Sequence, residues 1–268
     1  MCKNTYIIFL LVIFLIIIFY TFNNILKYKT VVYENFENDK IPKIIIQTWK
    51  TKDIPEKYKE NVLSVKKYNT DYQFLFFSDD DIEYFLENNY PEYYQTYLKL
   101  PVKIQKIDFF RYVAIYHYGG FYFDLDITAL YPLDELLDYD VIFPLEQNIP
   151  DSKCYKIRFK SNCEKNIKFL LGQYAFGAKP QNDFIKLLID TINNNIDKYI
   201  KDFGNGNNEL KNSDMLQYVY NSTGPDFVTE LYLNYKNKDK IKVLEYEKPH
   251  YFGKYAVHMH YGTWKLGT

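Results

Sequence analysis

The sequence predicts an α/β domain with a mainly parallel sheet, set behind an N-terminal transmembrane helix. Short apolar runs alternate with helical stretches from Ile41 onward, the pattern of strand–helix–strand units in a parallel sheet. One of those runs ends directly in Asp124-Leu125-Asp126. Ahead of them all stands a charge-free segment, Tyr6 to Phe22, of seventeen apolar-to-aromatic residues.

That segment is at the short end of what spans a bilayer, for which about 20 residues is typical. A secretory signal has a shorter apolar region and a small-residue cleavage site. Here Asn23, Asn24, Ile25, Leu26 and Lys27 follow instead. The reading is an uncleaved signal anchor in residues 1–22. Lys3 and the α-amino group flank it on one side, Lys27 and Lys29 on the other. The positive-inside rule is then close to a tie, leaning slightly toward a cytoplasmic C-terminal domain. Residues 23–40 are polar and broken and read as a stem. The folded domain is expected over residues 41–268.

Within that domain, Lys43–Gln47 is a short apolar run and reads as a buried strand. Pro55 to Tyr68 reads as a helix and Tyr72–Phe77 as a second strand. Ser78 is the expected cap of a helix whose first turn carries Asp79, Asp80 and Asp81, where the helix dipole favours acid. Val102 to Tyr118 reads as a long helix stopped by Gly119-Gly120. Phe121–Phe123 is the strand that runs into Asp124. Val141–Pro144 and Gln173–Ala178 read as further strands, Asp183–Tyr199 as a helix and Ile241–Tyr246 as a late strand. Gly204–Asn208 reads as a surface loop.

Bulk composition bounds the function. Apolar residues make up 47% and charged residues 25%, as in a globular protein with a real core. The net charge of −1 gives no electrostatic footprint for nucleic acid. Tyr (29) and Phe (21) are abundant; a compositional bias and a sugar-binding surface would both give this. Cys154 and Cys163 either pair, if the domain faces an oxidising compartment, or stay as free thiols.

The chemistry starts at Asp124 and Asp126. Two carboxylates just past a buried strand cannot both be packed away unpaired. At the carboxyl edge of an α/β sheet they can hold a divalent cation, and hard oxygen ligands suit Mg²⁺ or Mn²⁺. Asp108 and Arg111 stand three apart and share a helix face near the end that feeds Gly119-Gly120. Arg can clamp phosphate and Asp can accept hydrogen bonds from hydroxyls; an intrahelical salt bridge is the plainer reading of the pair. His258 and His260 fall on one side of an extended run, a source of a third metal ligand or a diphosphate contact.

Four segments together carry a family resemblance. Ile41-Pro42-Lys43-Ile44-Ile45-Ile46-Gln47-Thr48-Trp49 opens it. Lys106 to Tyr112 and Tyr118 to Asp126 form its centre, Thr223-Gly224-Pro225 a later loop, and Tyr255 to Trp264 its close. In this order they resemble the DXD-containing glycosyltransferases of the yeast-type α-1,6-mannosyltransferase and inositol-phosphoceramide mannosyltransferase kind, glycosyltransferase family 32. Ile46 departs from that pattern, where His is frequent, and His258 rather than His260 matches its closing His. The resemblance implies a GT-A-type, Rossmann-like nucleotide-sugar-binding domain and a retaining transferase that uses Mn²⁺ or Mg²⁺. It implies a nucleotide-sugar donor, GDP-mannose before a UDP-sugar, and a glycan or glycolipid acceptor. It implies a type II, single-pass membrane protein with its catalytic domain in the Golgi or ER lumen, against the lean of the flanking charges. Carried over by position, Trp49 stacks on the base, Asp108 and Arg111 hold donor sugar and ribose or phosphate, and Asp124 contacts sugar or ribose. Asp126 ligates the metal, while His258, the candidate third metal ligand, and Trp264 close over the diphosphate.

Two other readings compete. Phe121 to Thr128 also fits the strand-DxDxT opening of haloacid-dehalogenase-like phosphatases, with Asp124 as nucleophile and Asp126 as acid/base. That motif normally opens its domain, whereas residues 41–120 precede it here. A membrane-anchored carbohydrate-binding protein would suit the aromatic bias and leave the acidic cluster without a use.

Overall fold

A computed structural model describes residues 40–204 and 212–262. The anchor, the stem before Lys40, most of the Gly- and Asn-rich loop and Trp264 lie outside the described residues. Among the described residues no helix is long and apolar enough to cross a membrane.

The run Ile44–Thr48 forms β1, buried along its whole length. α1 (Glu56–Tyr68), β2 (Gln73–Phe77), α2 (Asp79–Asn89) and α3 (Pro91–Lys99) follow. Ser78 caps α2 as its sequence predicts, in a reciprocal box with Asp81. Next come α4 (Lys103–Tyr118), β3 (Gly120–Phe123), β4 (Ile127–Ala129), β5 (Val141–Asn148), α5 (Ile157–Glu164), β6 (Phe169–Leu171) and β7 (Ala175–Ala178). The chain continues through α6 (Asp183–Asn194), α7 (Ile196–Gly204), α8 (Asn212–Ser222) and α9 (Pro225–Asn234), then β8 (Ile241–Leu244), β9 (Tyr251–Phe252) and β10 (Ala256–His258). The single helix predicted over Asp183–Tyr199 is two. Asn195 between them turns its side chain back onto the Thr191 carbonyl at 2.8 Å and so competes with the helical ladder.

Six strands run in the order β2-β1-β3-β7-β5-β6, with β8 added beside β5. The sheet is parallel-rich but mixed: five of its seven strands point the same way. β1 pairs in parallel with β2 and β3, and β5 with β8, but β7 lies antiparallel between β3 and β5. The reason is the return path: β6 folds back antiparallel on β5, and antiparallel neighbours need no helical crossover. A second, three-stranded sheet has the order β4-β10-β9.

The period-2 alternation of the strands splits the core into two layers. Ile44, Ile46, Tyr122, Phe143 and Phe176 pack on one face with α4 and α6, whereas Ile45, Phe121, Phe123 and Ile142 pack on the other with the small sheet. Gly119 and Gly120 make the turn from α4 into β3. Gly120 has φ 88°, and a Cβ there would sit 2.4 Å from the Ile44 carbonyl oxygen, so only glycine lets β3 reach β1. Cys154 and Cys163 form a disulfide across the excursion between β5 and β6.

Candidate active site

β1, β2 and β3 are mutually parallel, so their carboxyl ends share one edge. Trp49 follows β1 and Asp124 follows β3 on that edge, the usual ligand position in such sheets. Asp124 is pinned there by its N–H, which donates to the Tyr174 carbonyl at 2.8 Å.

α4 brings the second part. It is buried on nearly all sides, yet carries Gln105, Asp108 and Arg111 at three-residue spacing, all inside. Burying such groups requires partners, and the chain supplies them. Gln105 Nε2 donates to Ser222 Oγ at 2.6 Å, and Thr223 Oγ1 donates to Asp108 Oδ2 at 2.7 Å. Arg111 Nη1 donates to the Gln173 carbonyl at 2.9 Å. Its Nη2 lies 3.2 Å from Asp108 Oδ1 and 3.5 Å from Asp124 Oδ1. The guanidinium carbon sits 4.6 Å from the centre of the Tyr122 ring. Tyr122 in turn donates its hydroxyl to Asp124 Oδ1 at 3.1 Å. One cation therefore serves two carboxylates in a nearly closed site.

The electrostatics follow from that count. Burial pushes the Asp108 carboxyl up to about 6, against the pull of Arg111 and the Thr223 hydroxyl. Burial opposes the charge on Arg111, but Asp124, Tyr122 and Asp108 hold it protonated, above its ordinary value. Asp124 is pushed up by burial; Arg111 pulls it back and Asp126 adds to the rise. Asp126 goes the other way. Burial raises it, but the hydrogen bond and charge of His258 and the Tyr261 amide outweigh burial and hold it below the usual carboxylate range.

β10 delivers His258 beside the two aspartates, because it pairs with β4 directly after them, His258 opposite Ile127. His258 Nε2 lies 3.2 Å from Asp126 Oδ1. Asp126 also accepts from the Tyr261 N–H at 3.0 Å and, through its carbonyl, from the Met259 N–H at 2.9 Å. The His258 ring stacks on Tyr174, with centroids 4.4 Å apart. Its Nδ1 is buried without a hydrogen-bond partner, so the Nε2 contact with Asp126 and the stacking on Tyr174 fix the ring. β10 ends at His258, and His260 takes a left-handed φ of 54°, so the extended run predicted through both histidines stops short. The two rings still lie 3.9 Å apart.

Asp124, Asp126 and His258 each offer one ligand atom within 4.8 Å of the others. Two carboxylate oxygens and an imidazole nitrogen are a donor set that Mn²⁺ or Mg²⁺ accepts. The raised Asp124 beside Asp126 is a place where an added cation relieves repulsion. The residues present thus fit a divalent ion.

Trp49 is half-buried and meets Tyr58 edge-on at 5.0 Å; Tyr58 lies 5.6 Å from Tyr261. These three rings form an aromatic wall that ends at the Asp126 contact. Sequence reasoning missed Tyr122, Tyr174, Gln173 and Tyr58. Thr223 was visible only as part of its Thr-Gly-Pro loop.

Residues 55–143 match the family described as the glycosyltransferase sugar-binding region containing the DXD motif. This stretch holds Asp108, Arg111, Asp124 and Asp126. That stretch is therefore similar to the DXD-containing region of glycosyltransferases. Inositol phosphoceramide mannosyltransferase 1 of Schizosaccharomyces pombe is 40% identical over 104 residues, 38% of this chain and 33% of its own length. The initiation-specific α-1,6-mannosyltransferase of Saccharomyces cerevisiae is 36% identical over 102 residues, 35% of this chain and 21% of its own. The match thus spans a third or less of each of these relatives. Among solved structures, the PaToxG glycosyltransferase superposes with a TM-score of 0.50 at 16% identity, over 77% of this chain and 75% of that one. The likeness there is one of fold: a mixed α/β glycosyltransferase fold.

Proposed function

We propose that this DXD glycosyltransferase domain, of GT-A type, transfers mannose from GDP-mannose to a hydroxyl of a glycan or glycolipid, with retention and with Mn²⁺ or Mg²⁺ held by Asp124, Asp126 and His258. The observation that carries the reading is the buried Asp108–Arg111–Asp124 network, coupled at the sheet's carboxyl edge to Asp126 and His258. The bound ion would offset charge developing on the leaving diphosphate. Arg111 sets the field on the same edge. Asp108, 1% exposed, locks Arg111 in place. Asp124 faces the sugar or ribose. The wall of Trp49, Tyr58 and Tyr261 suits a nucleotide base, and Trp264 closes over the diphosphate. No enzymic nucleophile is needed if the acceptor hydroxyl attacks from the leaving group's own face and passes its proton to the departing diphosphate oxygen.

Residues 1–22 anchor the chain, 23–40 form the stem and 41–268 the catalytic domain, lumen-facing in the Golgi or ER. The Cys154–Cys163 disulfide supports an oxidising compartment. The phosphatase alternative loses support because Asp138 and Asp140 come directly before β5, at its amino end, which is the sheet edge opposite Asp124. The test is thermal melting of the full chain in detergent with GDP, UDP and their sugar conjugates, each with Mn²⁺ or with EDTA. Stabilisation by GDP compounds in Mn²⁺ alone is the expected result. Equal stabilisation in EDTA would remove the metal from the account, and a response to uridine compounds alone would reassign the donor.

A further inference from the structure

Beyond the active-site edge, the excursion between β5 and β6 carries features that the transferase reading does not use. Tyr155 and Ile157 are each 81% exposed, the most exposed of the large apolar side chains described. They stand two residues apart at the tip, where α5 begins. Residues 151–168 hold six basic side chains, Lys153, Lys156, Arg158, Lys160, Lys165 and Lys168, against Asp151 and Glu164, although the whole chain nets −1. Some of that charge is spent: Arg158 grips Asp226, Lys165 pairs with Glu230 and Lys168 with Asp151. Lys156, between the two apolar residues, and Lys160, three residues past Ile157, are exposed and enter no ion pair among the described residues.

The excursion is also rigidly tied. The Cys154–Cys163 disulfide staples the tip to α5. The Ile149 N–H meets the Lys168 carbonyl at its base at 2.6 Å. Arg158 binds Asp226 with both nitrogens, at 2.9 and 2.6 Å, and Asp226 is three residues past Thr223, the partner of Asp108. β5 runs parallel to β3, since both pair antiparallel with β7. Its far end therefore leaves the sheet on the same edge as Asp124. The tip is a fixed projection on the same sheet edge as Asp124.

We propose that this tip is a bilayer-docking element: Tyr155 and Ile157 enter the interface of an anionic membrane while Lys156 and Lys160 lie among its headgroups. Charge complementarity selects that occupant. An exposed aromatic and an exposed aliphatic side chain beside two lysines that enter no ion pair among the described residues match the layered polarity of a lipid interface. Each lysine near an anionic leaflet adds about fivefold to partitioning. The consequence is that the carboxyl edge faces the membrane surface, whatever the acceptor.

The test places a reporter at the tip of the full chain, reconstituted in vesicles. Ile157→Trp is compared with Tyr84→Trp, an exposed control on α2, using acyl-brominated lipids as quencher. With phosphatidylserine in the vesicles, the tryptophan at 157 is expected to be quenched and the one at 84 not. The quenching should fall at least about tenfold in phosphatidylcholine alone, and likewise with Lys156→Glu and Lys160→Glu together. Unchanged far-UV circular dichroism and melting temperature in all variants keep folding out of the comparison. Equal quenching at 157 and 84, or quenching blind to lipid charge and to the lysine reversals, would overturn the proposal. So would shielding of the tryptophan at 157 from aqueous acrylamide that grows with protein concentration and not with lipid, which would assign the tip to a second protein copy.

Discussion

Replacing Arg111 by Met keeps an unbranched apolar stem and removes the charge that two carboxylates share. Asp108, 1% exposed, loses a partner at 3.2 Å and Asp124 one at 3.5 Å. Breaking a buried pair from one side costs about 3–5 kcal/mol. The stranded Gln173 carbonyl adds about 1–3 kcal/mol. Asp108 takes some of this back by binding a proton, since its carboxyl already sits at about 6. A net loss of about 3–4 kcal/mol is the result, or roughly 6–16 °C in melting temperature for a domain of this size. The assay is thermal and urea unfolding of wild type, Arg111→Met, Asp108→Asn and the double variant at neutral pH. Asp108→Asn should restore more than about 1 kcal/mol in the Met background, because it removes the stranded charge. A loss below about 1 kcal/mol, or strict additivity of the two changes, would refute the idea that Arg111 neutralises both carboxylates.

Asp108 also predicts a pH signature. With its folded value raised to about 6 by burial, the native state binds more protons than the unfolded chain between about pH 4 and pH 6, so stability falls as pH rises through that window and then levels off. Asp108→Asn should flatten the fall, read as melting temperatures of both proteins in chelator; superimposable profiles would contradict it. His258→Ala should weaken Mn²⁺ binding at least about tenfold, measured by the loss of the free-ion paramagnetic signal. The Cys154–Cys163 bridge spans nine positions, and replacing both with Ser should cost about 2–3 kcal/mol, checked by melting with and without reductant.

The parts of the fold visible in the sequence were those with strong local signals. β1, β3 and α4 announce themselves as an apolar run, a run ending in Asp124 and a long apolar stretch closed by Gly119-Gly120. The antiparallel insertion of β7 had no such signal, because Ala175–Ala178 reads the same in either direction. β6 and α5 went unseen for a related reason: short segments pinned by a disulfide and an Arg158–Asp226 contact owe little to local pattern. In the site, Asp124 and Asp126 stand out as paired carboxylates past a buried strand, whereas Asp108, Arg111 and His258 are singled out by the resemblance of the segments that hold them. Tyr122, Tyr174 and Gln173 could not be named, since nothing distinguishes them from other core-lining residues until β7 and β10 bring them to the same edge.

The most direct test of the central claim is turnover of a panel of nucleotide-sugars by the full chain, with Mn²⁺, Mg²⁺ or EDTA, beside Asp126→Ala. Metal-dependent release of one nucleoside diphosphate, GDP from GDP-mannose, and its loss in Asp126→Ala is the predicted result. A folded protein that releases no nucleoside diphosphate but cleaves a phosphate monoester through the same aspartates would contradict it and turn Asp124 into a phosphatase nucleophile.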